Sequence, residues 1–166
     1  MLKESFPAFH VHLFGTIRVS PEEIARIPGY DQVRTHLSFH GYTDQQTMWA
    51  YAQRATAGLA MLKPVADYAD SYTTKLFEYM ALGLPVITSN FELYKKVVEP
   101  SLCGFCISPY QAVALCEKMA WLLKNPAAAS VMGQNGRHAA EKDYNWATEE
   151  QVLLGFYASL ARAAEK

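Results

Sequence analysis

The run TTKLFEYMALGLPVITS, from Thr73 to Ser89, limits the possible folds more than any other stretch of this chain. On a helical wheel, at about 100° per residue, Leu76, Phe77, Met80 and Ala81 share one face, and Lys75, Glu78, Tyr79 and Leu82 share the other. Thr73 or Thr74 supplies an N-cap, Gly83 a left-handed C-terminal cap, and Pro85 prevents the helix from continuing. The β-branched segment that follows reads as a strand. A helix feeding a strand through a tight turn is the repeating unit of a parallel sheet with crossover helices.

The same alternation runs through the first half. "FHVHLFG" (Phe9 to Gly15) is a strand, and Ser20, Pro21 and Glu23 open a helix through a capping box. "THLSFHG" (Thr35 to Gly41) is the next strand, and Thr43 with Gln46 predicts a second capping box on a helix running to about Arg54. "TAGLAML", "PVITS" and "GFCIS" complete a set of about five strands, with a helix near Glu92 to Val98. After Pro109 the pattern is helical to the end, with breaks at Asn125-Pro126 and Tyr144-Asn145. The expectation is an α/β fold over residues 1–166: a Rossmann-like α/β/α sandwich on a parallel sheet, with helices packed at its C-terminal end. Trp121 and Trp146, in helical segments, are expected in the core.

In a parallel sheet, ligands bind beyond the carboxyl ends of the strands, where helix N-termini expose unpaired N–H groups. Lys75 sits in the first turn of its helix, where a cation opposes the macrodipole. A bound anion would offset that charge, with the amides around Thr73 to Leu76 holding a phosphate and Glu78, one turn deeper, accepting from ribose hydroxyls. The alternative is an ordinary i, i+3 surface pair between Lys75 and Glu78, worth about 0.2 to 0.5 kcal/mol.

Charge and composition narrow the partner. Fifteen basic and sixteen acidic residues give a net charge of -1 without a recurring basic cluster, which argues against nucleic acid as the main partner. No apolar run approaches the roughly 20 residues that cross a bilayer, and no signal peptide opens the chain, so a soluble, cytoplasmic protein is expected. Cys103 and Cys106 form C-G-F-C within a strand and read as small buried hydrophobes. His10 and His12 share one strand face and His36 and His40 another, so four imidazoles could approach each other, although such a strand end also tolerates polar groups without a metal. Tyr68, Tyr72 and Tyr79 surround the motif and suit either a sugar-binding surface or partial burial. The chain has no Asp-x-Asp, P-loop or Gly-rich dinucleotide fingerprint.

Taken together, "TTKLFEYMALGLPVITSN" resembles the nucleotide-sugar-binding signature of family 4 retaining glycosyltransferases of the GT-B fold. The likeness extends through "CGFCISP", "MGQNGRHA" and "YNW", and back through "FHGY". The family places two acids with seven residues between them; Glu78 matches the second, as the ribose ligand, and Asp70 the first, as a donor-sugar contact with catalytic bearing. Asp70 stands where the family usually has Glu, one methylene longer. By the same resemblance Thr73, Thr74, Lys75 and Leu76 hold the diphosphate, and Gly41 and Tyr42 lie beside the base.

The resemblance implies metal-independent, retaining transfer of a hexosyl group from a UDP- or GDP-linked sugar in glycan biosynthesis, with no cofactor beyond that substrate. It further implies an acceptor glycan or lipid-linked sugar held by an N-terminal domain. The family's donor domain opens with a strand and loop carrying an Arg and a Lys, and nothing before Phe9 matches them; the context of Arg18 fits the family's second strand. The chain is therefore expected to be the C-terminal donor-binding half of a longer enzyme, weakly active or inactive alone, and peripheral at the inner membrane face when whole. A GT-B-like sugar-nucleotide epimerase or phosphorylase, or a non-catalytic nucleotide- or phosphate-binding module, are the alternatives. A simple phosphate binder has no need of Asp70 and Glu78 at that separation.

Overall fold

The computed structural model describes residues 2–164; Met1, where the domain is expected to start, and residues 165–166 lie outside the described residues. A short helix, α1 (Leu2–Ser5), precedes strand β1 (Val11–Phe14). Helix α2 (Pro21–Ala25) begins with the expected capping box: the Glu23 amide donates to Ser20 Oγ at 3.2 Å and the Ser20 amide to Glu23 Oε2 at 2.9 Å. Helix α3 (Tyr30–Val33) and a 3₁₀ turn (Arg34–His36) lead into β2 (Leu37–Gly41).

Helix α4 (Gln45–Ala52) departs from expectation at its start. Its cap is Asp44, not Thr43: the carboxylate accepts from the Thr47 amide at 2.8 Å and the Thr47 hydroxyl at 2.6 Å. An ionised oxygen pair that satisfies two donors outcompetes a single hydroxyl one residue earlier. Then follow β3 (Gly58–Ala60), α5 (Thr74–Ala81), β4 (Val86–Ser89), α6 (Glu92–Ser101), β5 (Gly104–Ile107), α7 (Ala112–Lys124), α8 (Pro126–Lys142) and α9 (Trp146–Ala164).

All strand pairs are parallel, but they form two ladders: β1 with β2, and β3-β4-β5. The five strands expected of one sheet are present, and β1 and β3 each pair along a single edge. Apolar runs report strands, while pairing depends on which strands the crossovers make neighbours. The three-stranded ladder is buried on both faces, as parallel sheets require. Val86 faces Leu76, Met80, Tyr94, Val97, Val98 and Ala140 from α5, α6 and α8, whereas Ile87 and Ile107 face Leu122 and Ala129 from α7 and α8. This is the α/β/α layering expected from the sequence.

Helix α5 ends as predicted. Gly83 has φ +71°, the Leu84 amide returns to the Tyr79 carbonyl at 2.9 Å and the Gly83 amide to Met80 at 2.9 Å. Its inward face differs by one position. Leu76 and Met80 are fully buried, Ala81 is exposed, and Tyr79 packs its ring under Gly58, where β3 has no side chain to oppose it. The tryptophans also depart from expectation: Trp121 lies at the surface in a T-shaped contact with Phe105, and Trp146 is 69% exposed. Trp146 opens α9, whose Val152, Leu154, Phe156 and Tyr157 are all more than half exposed, so this helix has an apolar side with no core beneath it. No helix among the described residues is long and apolar enough to cross a membrane.

Candidate functional site

The candidate site is built at the carboxyl ends of β3 and β4. Ser89, fully buried, accepts from the Leu62 amide at 2.7 Å and donates to the Leu62 carbonyl at 2.6 Å. It fixes the point at which the chain leaves β3 for the loop to α5. That loop folds on itself: the Asp70 amide and the Ser71 hydroxyl both donate to the Asp67 carbonyl, at 3.0 and 2.9 Å. Asp70 is exposed at the turn, and the chain then enters α5 through Thr73.

Thr73 is the N-cap residue by backbone conformation, with φ -86° and ψ 132°, but its side chain makes no capping hydrogen bond. The Leu76 amide is turned back onto the Thr73 carbonyl at 3.2 Å, and the Leu76 side chain is buried in the core. The amides of Thr74 and Lys75 are left without a hydrogen-bond partner among the described residues. These are two of the unsatisfied donors at the positive end of a helix dipole. Lys75 is exposed beside them, and among the described residues it forms no ion pair, with Glu78 or any other carboxylate. The surface-pair alternative for Lys75 and Glu78 is therefore not what this structure adopts. Glu78, half-buried one turn deeper, is close enough to the Tyr79 phenol that its charge, after burial, helps raise the pKa of that group.

Gly41 and Tyr42 end the other ladder. Gly41 takes φ +66°, reversing the chain after β2, and Tyr42 projects with 88% of its surface exposed. No hydrogen bond, ion pair or ring contact joins this turn to Asp70, Lys75 or Glu78 among the described residues. Thus Asp70, Thr73, Thr74, Lys75 and Glu78 share one loop and helix start, while Gly41 and Tyr42 stand on a separate ladder.

Three of the four strand histidines gather and the fourth does not. His12 Nδ1 and His40 Nε2 lie 2.9 Å apart, His10 bonds Ser38 Oγ at 2.8 Å, and the His40 ring stacks on Phe14 at 4.4 Å beside Tyr51. Burial, then the charges of His10 and His40, push the His12 pKa down. His36 instead bonds the Phe9 carbonyl at 3.0 Å and stacks on the Phe9 ring. Among the described residues no group of three or more His, Cys, Asp or Glu is arranged to hold a metal ion. Cys103 is buried, its thiol pushed up to about 11, and the Cys106 thiol is pushed up to about 12 by burial and by Glu99. Both are neutral packing groups at neutral pH, as their strand context suggested.

Two features of the site were not readable from the motif. One is the Ser89 bridge, because nothing in "PVITS" marks which hydroxyl faces the neighbouring strand's exit. The other is Tyr94, fully buried, whose hydroxyl lies 3.3 Å from the Tyr68 carbonyl at the heart of the loop.

With this geometry established, comparison with known proteins gives consistent results. The profile of the family described as "Glycosyl transferases group 1" matches residues 2–139. Among curated proteins, a glycogen synthase of Mycobacterium tuberculosis is 24% identical over 137 residues, 80% of this chain and 32% of that protein. A phosphatidyl-myo-inositol mannosyltransferase of Mycobacterium leprae is 24% identical over 97 residues, 58% of this chain and 26% of that protein. Among solved structures, sucrose-phosphate synthase from Thermosynechococcus elongatus superposes with a TM-score of 0.74 at 23% identity, over 98% of this chain and 41% of that one. The chain spans about a quarter to a third of these curated relatives and shares its fold with one half of a GT-B enzyme. By the extent of the family match, the chain belongs to the group 1 glycosyl transferases.

Proposed function

We propose that this domain binds a nucleoside-diphosphate sugar, UDP- or GDP-linked, and that the whole enzyme transfers a hexosyl group from it with retention. The acceptor is a glycan or lipid-linked sugar, in keeping with the glycan- and lipid-directed names of the relatives. The observation that carries the reading is the first turn of α5: two amides without a hydrogen-bond partner and a Lys75 without an ion pair among the described residues, with Glu78 one turn below. Backbone donors and a cation in one helix turn suit a diphosphate, and a carboxylate one turn deeper suits ribose hydroxyls.

In the reaction, negative charge builds on the diphosphate as the glycosidic bond breaks. Donors already aimed at that position stabilise the departing group without reorganising, which is often the largest catalytic contribution. Thr74, Lys75 and the α5 dipole supply this here, without a metal being required by the scheme. Asp70, on the exposed turn before α5, contacts the hydroxyls of the transferred sugar, and Tyr42 flanks the base.

Calorimetry or ligand-observed NMR with UDP, GDP and their sugars tests the reading. One nucleotide should bind, and Lys75→Ala should weaken it about tenfold, the loss of one charge-assisted contact. Absence of binding by either nucleotide at millimolar concentration would refute the donor site.

A further inference from the structure

We propose that His12 and His40 are a positioning pair for the Gly41–Tyr42 turn, holding it through a hydrogen bond between two imidazoles that a second proton breaks. What the pair does for binding rests on the donor-site reading above.

The register shows where such a pair is needed. Strands β1 and β2 match Val11 with Leu37, His12 with Ser38 and Leu13 with Phe39, and then Phe14 with Gly41, so His40 is an extra residue with no partner across the ladder. A bulge of this kind interrupts the pairing and bends the strand that carries it. The extra residue is held by its side chain instead. Its ring lies flat on Phe14 at 4.4 Å, and its Nε2 is hydrogen-bonded to His12 Nδ1 at 2.9 Å. Pairing resumes at Gly41, whose carbonyl accepts from the Gly15 amide at 2.8 Å, and the positive φ of Gly41 then turns the chain to Tyr42. None of residues 11–14 or 37–41 is fully buried, so this ladder leans more on its hydrogen bonds than the buried one does.

The chemistry of the pair sets its response to acid. With both rings neutral, an N–H of one donates to the lone pair of the other. One added proton leaves that bond in place and makes it charge-assisted. With both rings protonated, each facing nitrogen carries a hydrogen, neither can accept, and two cations stand at hydrogen-bond distance. The surroundings do not offset them. His10, its ring centroid 4.7 Å from that of His12, adds a third positive charge when protonated; its own bond to Ser38 Oγ survives, because a hydroxyl both donates and accepts. From α4, Tyr51 faces His12 and His40 at 4.9 and 4.8 Å with a phenol, not a carboxylate. From the 3₁₀ turn, Arg34 is engaged by Asp31 at 3.9 Å and His36 is turned onto the Phe9 carbonyl. Among the described residues no carboxylate forms an ion pair with any of these imidazoles. Burial, then His10 and His40, hold the His12 pKa down, so the bond is whole above the ordinary histidine value and is lost as pH falls through the lowered one.

Amide exchange of the whole chain at about pH 7.5 and about pH 5, corrected for the intrinsic rate at each, reads the pair without a ligand. Protection across residues 37–42 should fall about two- to tenfold at the lower pH, the loss of one hydrogen bond, while residues 86–89 keep theirs. His40→Gln keeps a donor and an acceptor at this position but cannot become a cation, so its protection should be equal at both pH values. His40→Phe keeps the stack on Phe14 without the bond and should be loosened at both. Binding is the second readout, with UDP-glucose and GDP-mannose, whose diphosphate is esterified at both ends and keeps its charge across this range. The affinity of whichever binds should fall about two- to tenfold on acidification in the parent protein and stay level in His40→Gln. Protection that ignores pH in the parent protein, or an acid loss that persists in His40→Gln, overturns the pair. Acid loosening with unchanged affinity overturns its positioning of the turn and leaves the donor site standing. If neither sugar nucleotide binds at neutral pH, the donor-site reading fails and the positioning role with it, while exchange still decides the hydrogen bond.

Discussion

Helix α8 crosses the end of α5 where both chains are glycine, and replacing Gly133 by alanine should be among the costlier single-methyl changes available. A methyl built on Gly133 would overlap the Gly83 carbonyl oxygen, lie 2.8 Å from the Gly83 carbonyl carbon and 3.4 Å from Pro85 Cδ. Carbon atoms rest at about 3.5 to 4.0 Å from one another, and none of these atoms can rotate aside, because two are backbone and one is in a ring. Helix α8 must therefore shift outward from the α5 cap. Overpacking of this kind costs about 1 to 3 kcal/mol. Alanine returns about 1 kcal/mol through helix propensity, leaving a net loss of up to about 2 kcal/mol. For a chain of this size that lowers Tm by up to about 8 °C, while Gly155→Ala keeps the propensity gain alone. Gly155→Ala is the control, since a methyl there meets no atom within 4 Å on the exposed face of α9. Calorimetric melting of both variants at one pH decides the matter. If Gly133→Ala melts at or above Gly155→Ala, the close backbone contact between α5 and α8 is not what sets their spacing.

Leu76→Ala removes a fully buried side chain from the centre of the larger core and should cost about 2 to 5 kcal/mol in urea unfolding; a loss under about 1 kcal/mol would contradict its placement. Cys103 and Cys106 should resist iodoacetamide in the native protein at pH 8 and label on unfolding. Because both thiols titrate higher when folded, their contribution to stability should hold below about pH 9 and fall as pH rises toward 11 and 12, visible as a declining Tm; a flat profile would refute it. Asp44→Ala should quicken amide exchange at the start of α4 at neutral pH. Hydrogen bonds from Thr47 lower the Asp44 pKa, so its support is fully present above the ordinary carboxylate value and should vanish as pH falls through the lowered one.

The helix-to-strand unit from Thr73 to Ser89 was legible because each of its signals is local: an apolar face, a glycine at positive φ and a proline that forbids continuation. The capping box at Ser20 was legible for the same reason. At α4 two neighbouring residues could both cap, and the choice of Asp44 over Thr43 turned on a second hydrogen bond from Thr47 that the spacing rule does not include. Trp146 and the apolar side of α9 show another limit: periodicity marks which side of a helix is apolar, whereas burial depends on what lies opposite. For the site, the residue types at the start of α5 could be read directly. Which amides stay open could not, because the Leu76 amide is engaged by the Thr73 carbonyl, whose position depends on how the loop before α5 folds.

The division of the strands into two ladders has a consequence for how the molecule opens. Among the described residues no backbone hydrogen bond joins β1 and β2 to β3, β4 and β5, so the pairing of one ladder does not depend on that of the other. His12, Leu13 and Phe39 are exposed on the first ladder, while every residue of β4 is buried in the second. Native-state exchange should therefore resolve two populations of slow amides, with residues 11–14 and 37–41 released at a lower free energy than residues 86–89 and 104–107. The turn at Tyr42 would then belong to a unit that breathes on its own, and the buried side of α5, through Leu76 and Met80, to the unit that opens last.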